Sequence, residues 1–212
     1  MLHIHSFTFS PIQENTYLLW NDDKDAVIID PGCYDSYEEQ ELKSFIDEKG
    51  LRPIMLLNTH CHLDHVFGVK WVAATWDLIP HIHAKEQQMM RLAEASGVMY
   101  NLPFKSYSGP FNFLQEGDII KLGNDELKVL FAPGHSPGHV CFYCKAQDFV
   151  IGGDVLFNGS IGRTDLPLGN FETLITSIRT QLLTLPDETK VYSGHGPVTT
   201  VGREWNTNPF LV

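Results

Sequence analysis

Basic residues are scarce. The 212-residue chain carries 15 Lys and Arg against 26 Asp and Glu, a formal net charge of −11 at pH 7. That balance excludes a phosphate-backbone binder, which needs a basic face, and a protein docked on anionic lipid. Cysteines number 4, too few for a disulfide scaffold in a chain of this length. No apolar run approaches the roughly 18 residues of a membrane span. The N-terminal stretch lacks a basic segment followed by an apolar one, so no signal peptide is expected. These absences are those expected of a cytoplasmic protein that binds neither nucleic acid nor membrane. With 43% apolar and 19% charged residues the chain is globular. The residue in excess is histidine, with 10 copies.

Short apolar runs alternate with helical periodicity from end to end. Alternation predicts a strand over 3–9, and apolar runs predict strands at 16–20, 26–30 and 53–57. Ser36 with Glu39 reads as a capping box that opens a helix, with Leu42, Phe45 and Ile46 on one face and Gly50 closing it. Helices are expected over 71–76 and 85–96, the second stopped by Gly97, with a strand at 81–84 between them. From 98 to 113 the periodicity fails. Tyr100, Phe104, Tyr107, Phe111 and Phe113 stand there among Gly, Pro, Ser and Asn, as either a packed surface loop or a lid over a site. Strand signals return at 119–122, 126–131, 139–144 and 149–152, followed by a helix over 171–185 and a strand at 190–192. With no repeat, linker or low-complexity run, residues 1–212 read as one α/β domain, sheet-rich inside and helical outside.

His60, His62, Asp64 and His65 stand within six residues, directly after the apolar run 53–57. Spacing by two lets His60 and His62 converge on one ion, while Asp64 and His65 turn towards a second position. Imidazole and carboxylate are ligands that zinc, iron and manganese accept. His135 (in APGHSPGH), Asp154 (in IGGD) and His195 (in SGHG) each follow a further apolar strand. The glycines before Asp154 allow close backbone approach. All of these side chains are expected at one edge of the sheet.

The ordered set His60-x-His62-x-Asp64-His65, His135, Asp154 and His195 resembles the metallo-β-lactamase-fold hydrolases. Together with GRTDLPLGN (162–170) and GPVTTVGREWNTNPFL (196–211), it is most similar to the short glyoxalase II-like (hydroxyacylglutathione hydrolase-like) enzymes. The resemblance implies a four-layer αββα sandwich of two mixed sheets. It implies two divalent ions, zinc foremost with iron or manganese also admitted. His60, His62 and His135 would hold one ion, Asp64, His65 and His195 the other, and Asp154 would bridge them. Two ions about 3.5–4 Å apart can share a hydroxide at neutral pH. Attack of that hydroxide on a carbonyl carbon would cleave a small-molecule thioester such as S-lactoylglutathione. Asp64 is the catalytic candidate that orients the hydroxide and handles its proton.

Further residues follow from the same resemblance. Asp30 stands where the family places a carboxylate behind the metal-binding histidines. Arg163 stands where longer glyoxalase II enzymes carry a basic residue for the thiol carrier's carboxylate; an ion pair with Asp165 is the alternative. Those longer enzymes add a C-terminal helical domain, which is not expected after Val212, so glutathione specificity is in question. Cys61 is expected to point away from its flanking histidines, and Cys141 and Cys144 to pack in a strand. His139 has no ligand position left to fill, and His3, His5, His81 and His83 read as ordinary strand histidines. The competing activities on this fold are an iron-dependent persulfide dioxygenase and a lactonase. A β-lactamase is disfavoured by the lack of a cysteine among the candidate ligands.

Overall fold

Period-two alternation of apolar residues sorts each central strand between two faces, and the computed structural model of residues 1–212 shows where those faces go. The strands are β1 (His3–Phe9), β2 (Glu14–Trp20), β3 (Asp25–Ile29), β4 (Arg52–Leu57), β5 (Pro80–His83), β6 (Asn112–Leu114), β7 (Ile119–Leu122), β8 (Asp125–Phe131), β9 (Val140–Cys144), β10 (Phe149–Gly153), β11 (Leu156–Phe157), β12 (Ser160–Ile161), β13 (Lys190–Ser193) and β14 (Thr199–Thr200). The helices are α1 (Ser36–Lys49), α2 (Leu63–Val66), α3 (Val69–Trp76), α4 (Gln87–Met99), α5 (Phe171–Ser177) and α6 (Val201–Thr207). One six-stranded sheet runs β1-β2-β3-β4-β5-β6, antiparallel as far as β3 and parallel beyond it. The other runs β14-β13-β10-β9-β8-β7 and is parallel only between β10 and β13. Strands β11 and β12 form a separate hairpin. No helix is long and apolar enough to cross a membrane.

Three apolar cores separate four layers. In β9, Val140, Phe142 and Cys144 face the core between the sheets, while Cys141 and Tyr143 face the core under α5 and α6. In β3, Val27 and Ile29 join the inter-sheet core, while Ala26 and Ile28 face Leu42 and Ile46 of α1 and Val72 of α3. Burial on both faces explains why these strands read as near-continuous apolar runs. The result is the expected four-layer αββα sandwich. Cys61, Cys141 and Cys144 lie in these cores as expected, and all four thiols are free and buried.

Local details differ from the sequence reading in three places. The N-cap of α1 is Asp35, which accepts from Tyr37 N and Glu38 N, so Ser36 is the first helical residue. Glu38 accepts from Tyr34 N and Ser10 N at 2.7 Å each, in place of the reach-back expected of Glu39. Gly97 does not stop α4. It lies inside the helix because Leu102 and Phe104 fold back over it: a Cβ there would meet Leu102 O at 2.6 Å and Phe104 Cδ1 at 2.9 Å. The segment 98–113 is mostly a packed loop, with Leu102, Phe104, Tyr107 and Phe111 set against the α1–α4 core. The helix after β12 ends earlier and differently: α5 passes into a π-helical turn at Ile178–Leu182.

Candidate metal centre

The ends of β3, β4, β8, β10 and β13 open on one edge of the sandwich, and that edge gathers every candidate ligand. His60 and His62 follow β4, and His62 occupies the N-cap position of α2, whose first turn carries Asp64 and His65. The four are therefore mounted partly on a helical turn and not on a loop alone. His135 leaves the end of β8, Asp154 follows β10, and His195 follows β13. Gly153 turns at φ +49°, and a Cβ on it would press on Thr59 Oγ1 at 2.5 Å and His139 Nε2 at 2.7 Å. The glycine is what lets Asp154 approach. Backbone bonds Asn15 N to Gly194 O (2.7 Å) and Val140 N to Thr59 O (2.9 Å) tie the two sheets together here, and Gly194 N to Gly153 O (2.8 Å) extends the β10–β13 pairing.

Two donor sets result. His60, His62 and His135 form one, and Asp64, His65 and His195 the other; in each the ligand atoms lie within 4.8 Å of one another. In the first, His62 Nδ1 is 2.8 Å from His135 Nε2, which is 3.2 Å from His60 Nε2. In the second, Asp64 Oδ2 lies 3.1 Å from His195 Nε2 and 3.8 Å from His65 Nε2. Asp154 stands between them. Its Oδ1 is 3.4 Å from His65 Nε2, and its Oδ2 is 3.4 Å from His135 Nε2 and 3.6 Å from His195 Nε2.

The tautomers explain why this crowding calls for a cation. His135 Nδ1 donates to Arg163 O at 2.7 Å, and His195 Nδ1 donates to Gln13 O at 3.0 Å. Thr59 Oγ1 gives its one proton to Asp30 Oδ2 at 2.6 Å, so it accepts from His60 Nδ1 at 3.0 Å. The Nε2 atoms of His60 and His135 are then lone pairs facing each other in a dry interior. His65 Nε2 and Asp154 Oδ1 are buried with no hydrogen-bond partner. Glu14, Asp30, Asp64 and Asp154 are all buried, and no Lys or Arg pairs with any of them. Uncompensated carboxylates at such depth are costly. Divalent cations held by both sets, with Asp154 between them, would satisfy the lone pairs and the charge together. The residues fit the group.

Protonation preferences split the same way. Burial pushes His60 and His135 down and holds His62 at about 3, keeping them as neutral donors. Burial also works against protonation of His65, but the charges of Asp154 and Asp64 outweigh it and raise that imidazole. For Asp64, burial is overcome by His65 and His195, so its carboxyl stays below the usual range.

Behind the donors lies a layer only partly foreseen. Asp30, at φ +50° just past β3, accepts from Thr59 N (2.7 Å) and Thr59 Oγ1 and lies 3.1 Å from His65 Nδ1. It therefore stands behind both His65 and, through Thr59, His60. Glu86, which the sequence did not flag, is fully buried. It accepts from Cys61 N (2.8 Å), Ser136 Oγ (2.7 Å) and Gly138 N (2.7 Å), joining the His60–His62 segment to the His135 loop. Glu14 lies 3.7 Å from His65 Nδ1. His139 stacks on His60 with ring centroids 4.8 Å apart, and its Nε2 accepts from Asp154 N at 3.0 Å. Neither Glu14, which precedes the apolar run 16–20 beside Asn15, nor Glu86 carries a signal in the sequence. His3, His5, His81 and His83 lie outside both donor sets. His3 stacks on Trp20, His5 on Phe45 and His83 on Phe131, and His81 Nδ1 donates to Leu56 O.

The donors floor a cavity of about 510 Å³. Asp64, His62, His135, Asp154 and His195 reach it, and Arg163 also lines it. The Arg163 guanidinium is held by Asp165 in a two-point pair, Nε to Oδ1 at 2.7 Å and Nη2 to Oδ2 at 2.8 Å. Of the aromatic segment, Tyr100 alone reaches the cavity, at the rim beside Met99.

Comparison with known proteins agrees with this geometry. The family model of the metallo-beta-lactamase superfamily matches residues 10–195. Probable metallo-hydrolase YqgX of Bacillus subtilis is 46% identical over 202 residues, covering 95% of this chain and 93% of its own. Hydroxyacylglutathione hydrolase GloC of Haemophilus influenzae is 39% identical over 212 residues, covering 99% and 98%. Among solved structures, BLEG-1 B3 metallo-beta-lactamase superposes with a TM-score of 0.91 at 37% identity, over 99% of this chain and 100% of that one. TTHA1623 in a di-iron-bound form superposes with a TM-score of 0.89 at 39% identity, over 98% and 100%. By its profile, its relatives and its two facing sheets, the chain belongs to the metallo-beta-lactamase superfamily.

Proposed function

We propose that this chain is a metal-dependent hydrolase that cleaves a small S-acyl thiol. The observation that carries the reading is the pair of donor sets on either side of Asp154 on the floor of the cavity. The chain offers no convincing nucleophile of its own. Cys61 is buried with its thiol pushed up, and neither Ser96 nor Ser160 at the cavity wall is bonded to a base. His60, His62 and His135 would hold one ion and Asp64, His65 and His195 the other, with Asp154 between. Zinc suits these donors, and iron and manganese do as well; the di-iron form of TTHA1623 makes iron a species to test for. What the ions supply when bound is Lewis acidity towards water and towards an acyl oxygen.

The side chains do the rest. Asp64 presents Oδ2 to the cavity beside His195 and is placed to orient an attacking water and accept its proton. Asp30, through Thr59 and directly, keeps His60 and His65 in the tautomers that leave Nε2 free. Arg163 spends two of its five N–H donors on Asp165, and the others remain to hydrogen-bond a carbonyl on the thiol side of the substrate. A thiolate leaves without help from an acid, which suits a site with no evident proton donor for an amine.

The test is a substrate panel on metal-analysed protein, comparing wild type with Asp64→Ala. A thioester should be cleaved by the two-metal protein, and the substitution should lower that rate at least about 100-fold. Wild-type turnover in Asp64→Ala would remove Asp64 from the mechanism. One iron per chain, with O₂ uptake on a persulfide, would replace the hydrolase with a dioxygenase. A lactone and a β-lactam complete the panel, the latter because of the likeness to BLEG-1.

A further inference from the structure

The cavity above the donors is apolar to a degree that the proposed chemistry does not require. One wall is a stripe of α4: Met89, Leu92, Ala93 and Met99 recur at helical spacing along the face turned to the cavity. Facing it are Phe157 and Ile161 of the β11–β12 hairpin. The stripe leads outward, from buried Met89 and Ala93 near the donors to Leu92 and then Met99, which is 84% exposed. Large apolar side chains left in water beside a catalytic cavity mark a surface that a ligand covers.

Both walls are held in place. Leu102 and Phe104 pack over Gly97 and support α4 from behind. The hairpin is held by Glu204 of α6, fully buried, which accepts from Gly159 N at 2.9 Å and Asn208 Nδ2 at 2.8 Å; Asn208 Nδ2 also donates to Ser160 O at 2.9 Å. The GREWNTNPFL segment thus supports the substrate wall from outside.

Charge points the same way. Arg163 is the one Lys or Arg lining the cavity, and Asp165 already neutralises it. A thiol carrier read by its carboxylates would meet free guanidinium or ammonium groups, and here it meets none. The volume of about 510 Å³ falls in the range that holds drug-sized ligands, well beyond a three-carbon hydroxyacyl group. Small thiol carriers are polar molecules, so the hydrocarbon that fits these walls belongs to the acyl half.

Resting on the thioester-hydrolase reading above, we infer that the substrate is a thioester with an apolar, uncharged acyl chain of medium length. The chain lies along the Met89–Leu92–Met99 stripe of α4, opposite Phe157 and Ile161, and the thiol half is not selected through carboxylates.

The test uses metal-loaded full-length protein and the acetyl, butyryl, hexanoyl and octanoyl thioesters of N-acetylcysteamine, with S-lactoylglutathione as the anionic-thiol arm. Burial of each methylene should raise kcat/KM about two- to fourfold, so octanoyl should exceed acetyl at least about 50-fold and should also exceed S-lactoylglutathione. The double variant Leu92→Asp with Met99→Asp, both exposed positions, should reduce the octanoyl-to-acetyl ratio at least about tenfold. Asp165→Asn, which frees Arg163, should raise the ratio of glutathione to N-acetylcysteamine thioesters of the same acyl group. Cleavage of all thioesters with no dependence on chain length, or with S-lactoylglutathione preferred, overturns this inference and leaves the hydrolase reading standing. A chain-length dependence that the double variant retains overturns the placement along α4. No cleavage of any thioester overturns both readings.

Discussion

Asp30→Asn isolates the second layer of the site with little else disturbed. Asparagine has the same volume and tolerates the left-handed backbone at φ +50°. What changes is the pattern of acceptors. In the wild type, Oδ1 takes Thr59 N at 2.7 Å and Asn58 Nδ2 at 3.3 Å, while Oδ2 takes Thr59 Oγ1 at 2.6 Å and His65 Nδ1 at 3.1 Å. An amide has one oxygen. If it stays on the backbone side, the new NH₂ faces Thr59 Oγ1 and His65 Nδ1. The threonine hydroxyl can turn to accept from it, but its proton must then go to His60 Nδ1, and the proton of His60 moves to Nε2. His65, facing N–H with N–H, is driven to the same exchange. Both imidazoles would carry a proton on the nitrogen turned to the donor sets. Two charge-assisted bonds at about 1.5–3 kcal/mol each come to roughly 3–6 kcal/mol. For a protein of this size that is a fall in Tm of about 6–24 °C. Metal affinity should drop about 10–100-fold. Calorimetric melting of chelated and loaded protein, with chelator competition for affinity, measures both. An Asp30→Asn protein that binds two ions with wild-type affinity would refute the assignment of tautomers to Asp30.

Four further outcomes follow from the same geometry. Glu86→Ala would leave Cys61 N and Gly138 N buried without acceptors; at about 1–3 kcal/mol each this predicts a loss of roughly 2–6 kcal/mol, read by denaturant unfolding, and an unchanged midpoint would mean that the loops do not depend on Glu86. Burial pushes the thiols of Cys33, Cys61, Cys141 and Cys144 up, so a thiol reagent at pH 8 should modify none of the four in native protein and all four in guanidinium; rapid native labelling would contradict their burial. Removing metal should lower Tm by about 5–11 °C per site for ions present at 100 times their Kd. In that metal-free protein His62 titrates at about 3 when folded and near 6.5 when unfolded. The unfolded chain therefore binds more protons between those values, and stability should fall as pH drops from 6.5 towards 3. A fall no larger than that of a His62→Gln protein over the same window would refute the reading of His62 as a buried neutral imidazole.

How much of this was legible in the sequence follows from where each residue's partners lie. The seven candidate ligands left an imprint because each stands directly after an apolar strand, and strand ends share an edge in an α/β sandwich. The sandwich was legible for the same reason: strands buried on both faces, such as 140–144 and 149–153, are apolar without interruption. The pieces that escaped are too short to show a period, such as the two-residue strands β11, β12 and β14, or turn on one residue of phase, as with Asp35 and Ser36. Gly97 misleads because its contacts, Leu102 and Phe104, lie beyond the helix that it was expected to end. Glu86 shows the limit most clearly. At the start of a helix an acid reads as a solvated, dipole-complementing residue, and nothing local distinguishes it. Its three donors come from Cys61, Ser136 and Gly138, 25 to 52 positions away. Ligand residues announce themselves by type, since histidines clustered at strand ends have few other uses. A carboxylate that orients their loops is recognised only by its partners, so it becomes visible when the fold brings those partners to it.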